Sequence, residues 1–92
     1  MKDTTIQTLH PDAGKTNKVI SLEKYETIKV AILEVLKEGD LSHTQLMEAI
    51  HKRVSSYFKG NAQWYGETVK LDLEARGVIQ RSKSKLPIYS VA

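Results

Sequence analysis

The chain has 92 residues, a net charge of +3, 40% hydrophobic and 27% charged residues, and no cysteine. These values suit one globular domain with a modest core, and they rule out a disulfide framework or a thiolate metal site. The mild positive charge permits nucleic-acid binding but falls well short of a strong electrostatic footprint.

Residues 1–18 are polar, with His10-Pro11-Asp12 and Gly14 as turn signals. They read as an N-terminal arm, residues 1–20, with a short strand at Lys18–Ile20 and a folded domain over 21–92. The segment MKDTTIQTLH has no apolar signal region, and no apolar run approaches the ~18 residues of a membrane span, so a cytoplasmic protein is expected. Gly14-Lys15-Thr16 has the ending of a phosphate-binding loop. The glycine required five residues earlier is replaced by Leu9 and no apolar strand precedes it, so a solvated turn is the better reading.

Ser21 is a candidate N-cap for a first helix over 22–38, stopped by Gly39. Tyr25, Ile28, Ile32, Val35 and Leu36 form one stripe at about 100° per residue. Leu22, Val30, Ala31 and Leu33 widen it to about half the helix, more than the usual ~100° arc. One side should therefore meet the other helices, and the other should meet the arm or a second subunit. A homodimer through this helix and the arm is expected. Lys29 falls inside the arc, either snorkelling or bridging to a second subunit.

Asp40-Leu41 can form a short strand. Ser42 with Gln45 matches a capping box for a second helix over 43–55, whose buried stripe is Leu46, Ile50 and Val54 with Met47 alongside. Tyr57 and Phe58, in the connector, are expected to plug the gap between helices.

Asn61 is an N-cap and Gly77 a left-handed terminator for a third helix over 62–76. Its core stripe is Ala62, Gly66, Val69 and Leu73, with Tyr65 at the edge. Gly66 costs ~1 kcal/mol relative to alanine, which implies close approach by another helix. Trp64, Thr68, Leu71 and Ala75 form a second apolar stripe nearly opposite. Gln63, Glu67, Lys70 and Glu74 run between the two. A hairpin over about 78–91 follows, with Arg81, Lys83 and Lys85 around its tip and Pro87 at a strand start or bulge.

His43 and His51 are eight residues apart, ~12 Å along a helix, too far to share an ion. Glu23/Glu26 and Asp72/Glu74 read as solvated helix faces. No metal site, cofactor, small-molecule ligand or catalytic group is expected.

The capped second and third helices, Leu73-Glu74-x-x-Gly77-x-Ile79 and the basic hairpin resemble the winged helix-turn-helix superfamily. QWY followed by GETVKLDLEARGVIQR, and the leading HPDAGKTNKVISLEKYE, are similar to a family of short uncharacterised bacterial winged-helix proteins. The fold implied is mainly α with a small hairpin wing: three helices and a two- to three-stranded antiparallel sheet. The superfamily implies double-stranded DNA as partner and a role as a small transcriptional regulator. Helix 3 would lie in the major groove and the wing on the backbone. Carried over by position, the groove face is Gln63, Trp64, Glu67, Thr68 and Leu71. Gln63 and Thr68 would read bases, and Lys70, Arg81, Lys83 and Lys85 would contact phosphate. That face departs from the usual pattern in offering a carboxylate, a tryptophan and a leucine. The alternative is a protein-interaction module anchored by Trp64 and Leu71.

Overall fold

The computed structural model describes residues 4–12 and 14–92. Its elements in chain order are β1 (Thr5–Gln7), β2 (Val19–Ser21), α1 (Leu22–Glu38), β3 (Leu41–Ser42), α2 (His43–Val54), α3 (Ala62–Ala75), β4 (Ile79–Arg81) and β5 (Ile88–Val91). Among the described residues there are three helices and two small antiparallel sheets, a mixed α+β architecture.

Each helix begins at the residue whose side chain can satisfy its first-turn donors. The Ser21 hydroxyl accepts from the Lys24 N–H at 3.4 Å. Both halves of the Ser42/Gln45 capping box form, at 3.3 and 3.1 Å. Asn61 Oδ1 accepts from the Trp64 N–H at 3.0 Å. Helix α3 ends in paired turn bonds: Val78 N–H donates to the Leu73 carbonyl at 2.9 Å, and Gly77 N–H donates to that of Glu74 at 3.2 Å. Gly77 has φ +75°, the left-handed conformation this motif requires.

The three helices pack against one another around Tyr25, Ile28, Ile32, Leu46, Ile50, Val54, Val69 and Leu73. One sheet has the order β3-β5-β4. Tyr89 stands directly between Leu41 and Arg81 across it and is buried in the core, as is Ile79. This settles which hairpin face is internal. Pro87 precedes β5, where its missing N–H interrupts no ladder bond.

The arm is more ordered than its polar sequence suggests. β1 pairs with β2 in the register Thr5↔Ser21, Ile6↔Ile20 and Gln7↔Val19. The resulting ribbon lies on α1, with Ile20 buried in the core and Ile6 packed against it. The wide apolar arc of α1 is thus covered in part by its own arm. Leu22 and Leu33 are half-buried, while Val30 stays 52% exposed. Lys29 lies with its ammonium 6.0 Å from the centre of the Tyr25 ring. The Gly14 turn is solvated, and Lys15 pairs with Asp12 at 3.3 Å.

Gly66 faces α2, where a Cβ would meet Ile50 Cδ1 at 3.2 Å and Met47 Sδ at 3.3 Å. Gly66→Ala should gain ~1 kcal/mol of helix propensity and lose a similar amount by displacing these side chains. Its urea-unfolding stability should therefore stay within about 1 kcal/mol of wild type. Gly66→Val should cost roughly 1–3 kcal/mol, and a valine variant as stable as wild type would remove close packing as the reason for the glycine.

Candidate interaction surface

The outer side of α3 divides into a covered half and a free half. The covered half lies beneath the arm. Asn17 Nδ2 donates to the Thr68 carbonyl at 3.0 Å and to that of Leu9 at 2.9 Å. Ala75 lines a small cleft whose other walls are arm residues, including Thr8, Leu9 and His10. Thr68 is only 5% exposed and Leu71 is half-buried. The second apolar stripe therefore packs largely in cis, and Thr68 cannot serve as a base reader.

The arm is fastened at Asp72, which is fully buried. Its carboxylate accepts from the Leu9 N–H at 2.8 Å, from the Tyr25 hydroxyl, and from Arg76 Nε at 2.9 Å. These donors come from the arm, α1 and the end of α3. A buried carboxylate is tolerated only when paired and hydrogen-bonded, and this one is both. Its expected place on a solvated face beside Glu74 is therefore corrected. Burial and the hydrogen bond and charge of Asp72 push the Tyr25 hydroxyl up to about 12. The hydrogen bond that Arg76 donates to Asp72 likewise raises Arg76.

Lys70 is a second correction. It is 5% exposed, with its ammonium donating to the Tyr89 hydroxyl at 2.9 Å and lying 4.3 Å from that ring's centre. It is a packed cation beneath β5 and is not available to phosphate. Burial, and then the charge of Lys70, lower the His43 imidazole below its ordinary value. Arg81, expected at the wing tip, sits beside α3 with its Nε 3.4 Å from Glu74. Lys83 and Lys85 are exposed, and neither joins an ion pair among the described residues.

The free half of α3 presents Gln63, Trp64 and Glu67. Trp64 is 42% exposed and packs edge-on against Tyr65 with ring centres 4.9 Å apart. Tyr65 in turn meets Phe58 edge-on at 5.3 Å, and the Lys24 ammonium lies 5.2 Å from the Tyr65 ring. Phe58 plugs the inter-helix gap as expected. Tyr57 does not, and is 61% exposed. Tyr57, Phe58, Lys59 and the first turns of α1 bound a cleft of about 490 Å³. Trp64, Tyr65 and Phe58 make an aromatic corner at the α2–α3 junction, with Phe58 also lining this cleft.

A family of unknown function (DUF6958) matches residues 5–88, and the chain belongs to that family. No curated protein and no solved structure matches the chain. Among the described residues no helix is long and apolar enough to cross a membrane.

The Tyr25–Asp72 bond gives a signed pH dependence. Tyr25 holds its proton more tightly when folded, at about 12 against an ordinary 10. The resulting stability is intact below pH 10 and is lost as pH rises through 10 to about 12. Two units correspond to at most roughly 3 kcal/mol. Urea unfolding at pH 8, 10 and 11 should show this loss in wild type. Tyr25→Phe should be less stable at pH 8 and show a flatter alkaline decline.

Proposed function

We propose that this family member is a winged-helix domain that acts by protein association, anchored at the aromatic corner around Trp64. The winged-helix reading is supported by the order of three helices and a terminal hairpin, with β3 and β4 flanking β5. The observation that carries the functional reading is the division of α3. Its C-terminal outer half is occupied by the chain's own arm, while its free N-terminal half offers a half-exposed tryptophan beside a carboxylate. Aromatic residues held against a packed wall are favoured as interface anchors, because they bury large area at little entropic cost. Trp64 is held by Tyr65, and Tyr65 by Phe58. Leu71, half-buried on the arm-covered half of α3, is not part of that surface.

The second reading is double-stranded DNA bound through the wing, favoured by the exposure of Lys83 and Lys85. Gln63 would be its remaining base reader. The magnitudes weigh against it. Two phosphate contacts give a salt slope of only about −1.8 on a log–log plot, against the six to ten contacts of a strong binder. Glu67 faces the same side as Gln63 and would repel phosphate.

A second copy is the first partner to test, since Val30 and Val19 remain 52% and 58% exposed on α1 and β2. Light scattering from micromolar to millimolar protein measures that association.

Titration of a 20-base-pair duplex at two salt concentrations separates the readings. Protein association predicts weak duplex binding with a slope no steeper than about −2. It also predicts that Trp64→Ala loses a bound partner protein that Lys83→Ala/Lys85→Ala retains. Tight duplex binding lost in the lysine pair, with Trp64→Ala unaffected, would reverse the assignment.

A further inference from the structure

β4 is an edge strand, because the sheet runs β3-β5-β4. The bonds Ala92 N–H to the Val78 carbonyl and Ser82 N–H to the Ile88 carbonyl fix the phase of the β4–β5 ladder. With Gln80 opposite Ser90, residues 78, 80 and 82 turn their backbone groups toward β5. The N–H and C=O of Ile79 and Arg81 therefore point out of the sheet, and among the described residues no hydrogen bond from elsewhere reaches them.

These groups border a concavity of about 790 Å³. Every residue from Ile79 to Ser84 lines it. A sheet face alone would contribute only alternate residues, so the concavity reaches the strand's edge, with Pro87 and Ala92 from the two ends of β5 also lining it. Pro11 of the arm, Glu74 of α3 and Gly77 just beyond that helix are among the residues completing its walls.

We propose that this groove accepts an extended acidic segment of a partner protein, which adds to the sheet as a fourth strand beside β4. Strand addition draws its affinity from main-chain hydrogen bonds and its specificity from flanking side chains. Pro11 offers apolar contact to the incoming strand. The charge favours carboxylates: Arg81 and Lys83 line the groove and Lys85 lies two residues beyond, while Glu74 is already engaged by Arg81. Arg81 uses only Nε in that pair, leaving the rest of its guanidinium fork for a second carboxylate. The same charges disfavour a second copy of this chain, since pairing β4 with its own symmetry mate sets like charges together. The groove lies twelve residues from Trp64 along α3 and its end, on the order of 18 Å. The proposal is therefore independent of the aromatic corner.

The test uses a capped Val-Glu-Val-Glu-Val peptide on the full chain, followed by amide hydrogen exchange and amide chemical shifts. Binding should slow exchange at Ile79 and Arg81 by tenfold or more and leave Gln80, already bonded to β5, little changed. A Val-Lys-Val-Lys-Val peptide should not bind. Arg81→Ala should weaken binding several-fold. Arg81→Pro, which also deletes an outward N–H without touching the ladder to β5, should abolish it. Lys83→Glu keeps every backbone group and should weaken binding, which guards against misfolding of the proline variant. Trp64→Ala should bind as wild type. The proposal is overturned by equal binding of the lysine peptide, by no binding at millimolar peptide, or by unchanged exchange at Ile79 and Arg81. It is also overturned if those amides become protected in concentrated protein alone, which would mean a second copy holds the edge. Displacement of bound peptide by Trp64→Ala would move the site to the aromatic corner.

Discussion

The arrangement of this molecule depends on one buried carboxylate. Asp72 is closed off from water and takes hydrogen bonds from three directions: the backbone of Leu9, the hydroxyl of Tyr25 and the guanidinium of Arg76. Hydrogen bonds to a charged group contribute more than neutral ones, about 1.5–3 kcal/mol each, whereas the same carboxylate unpartnered would carry a penalty of several kcal/mol. The interaction is therefore a condition on geometry. Arm, α1 and the end of α3 must all be in place, or the charge has no acceptable environment. Backbone bonds spread the tie along the ribbon: Leu22 N–H donates to the Thr4 carbonyl at 2.9 Å, and Thr8 N–H to that of Lys18 at 3.1 Å.

Fixing the arm in this way decides what the rest of the surface can do. A helix with two apolar stripes must bury both or leave one to a partner. In α3 the first stripe packs on α1 and α2, and the second is largely taken by the arm, through Asn17 at Thr68 and the cleft beside Ala75. Of that stripe only Trp64, in the first turn, escapes. Fold alone does not assign function. Here the reason is concrete: part of the outer face of α3, at Thr68 and Ala75, is spent on holding the chain's own N-terminus.

The helices, caps and hairpin were legible in the sequence because each is set by local chemistry: Ser21, Ser42 and Asn61 as caps, Gly77 as the left-handed terminator, and apolar residues at helical spacing. The arm ribbon was less so. Its strands are three residues each and register through Ile6 and Ile20, with too few alternations to stand out from a polar loop. The site errors share one cause. Thr68 and Lys70 looked exposed because periodicity locates a residue on its own helix but says nothing of what another segment lays over it. Asp72 did leave a signal. At 100° per residue it falls between the two apolar stripes, flanked by Thr68 and Val69, where a lone acid is more naturally a buried acceptor than a solvated charge. The exposure of Tyr57 beside half-buried Phe58 had no signal, since two adjacent aromatics in a turn do not say which points inward.

The distribution of cations carries the last step. Of the four cations that the superfamily resemblance places on phosphate, Lys70 is packed against Tyr89 and Arg81 is paired with Glu74, leaving Lys83 and Lys85. A basic hairpin reads as a nucleic-acid feature only when its charges converge on a backbone path with other cations. Here α3 answers the wing with Glu67 and Glu74. The same two lysines beside a free strand edge have a different use. They guard that edge against copies of itself and select for an incoming strand of opposite charge. One short helix thus separates two exposed features of different character, an aromatic corner at its start and a cationic strand edge beyond its end, with the arm lying across the ground between them. That separation favours a domain that joins protein segments over one that tracks a duplex, because a duplex requires a continuous cationic path where this molecule places its own N-terminus.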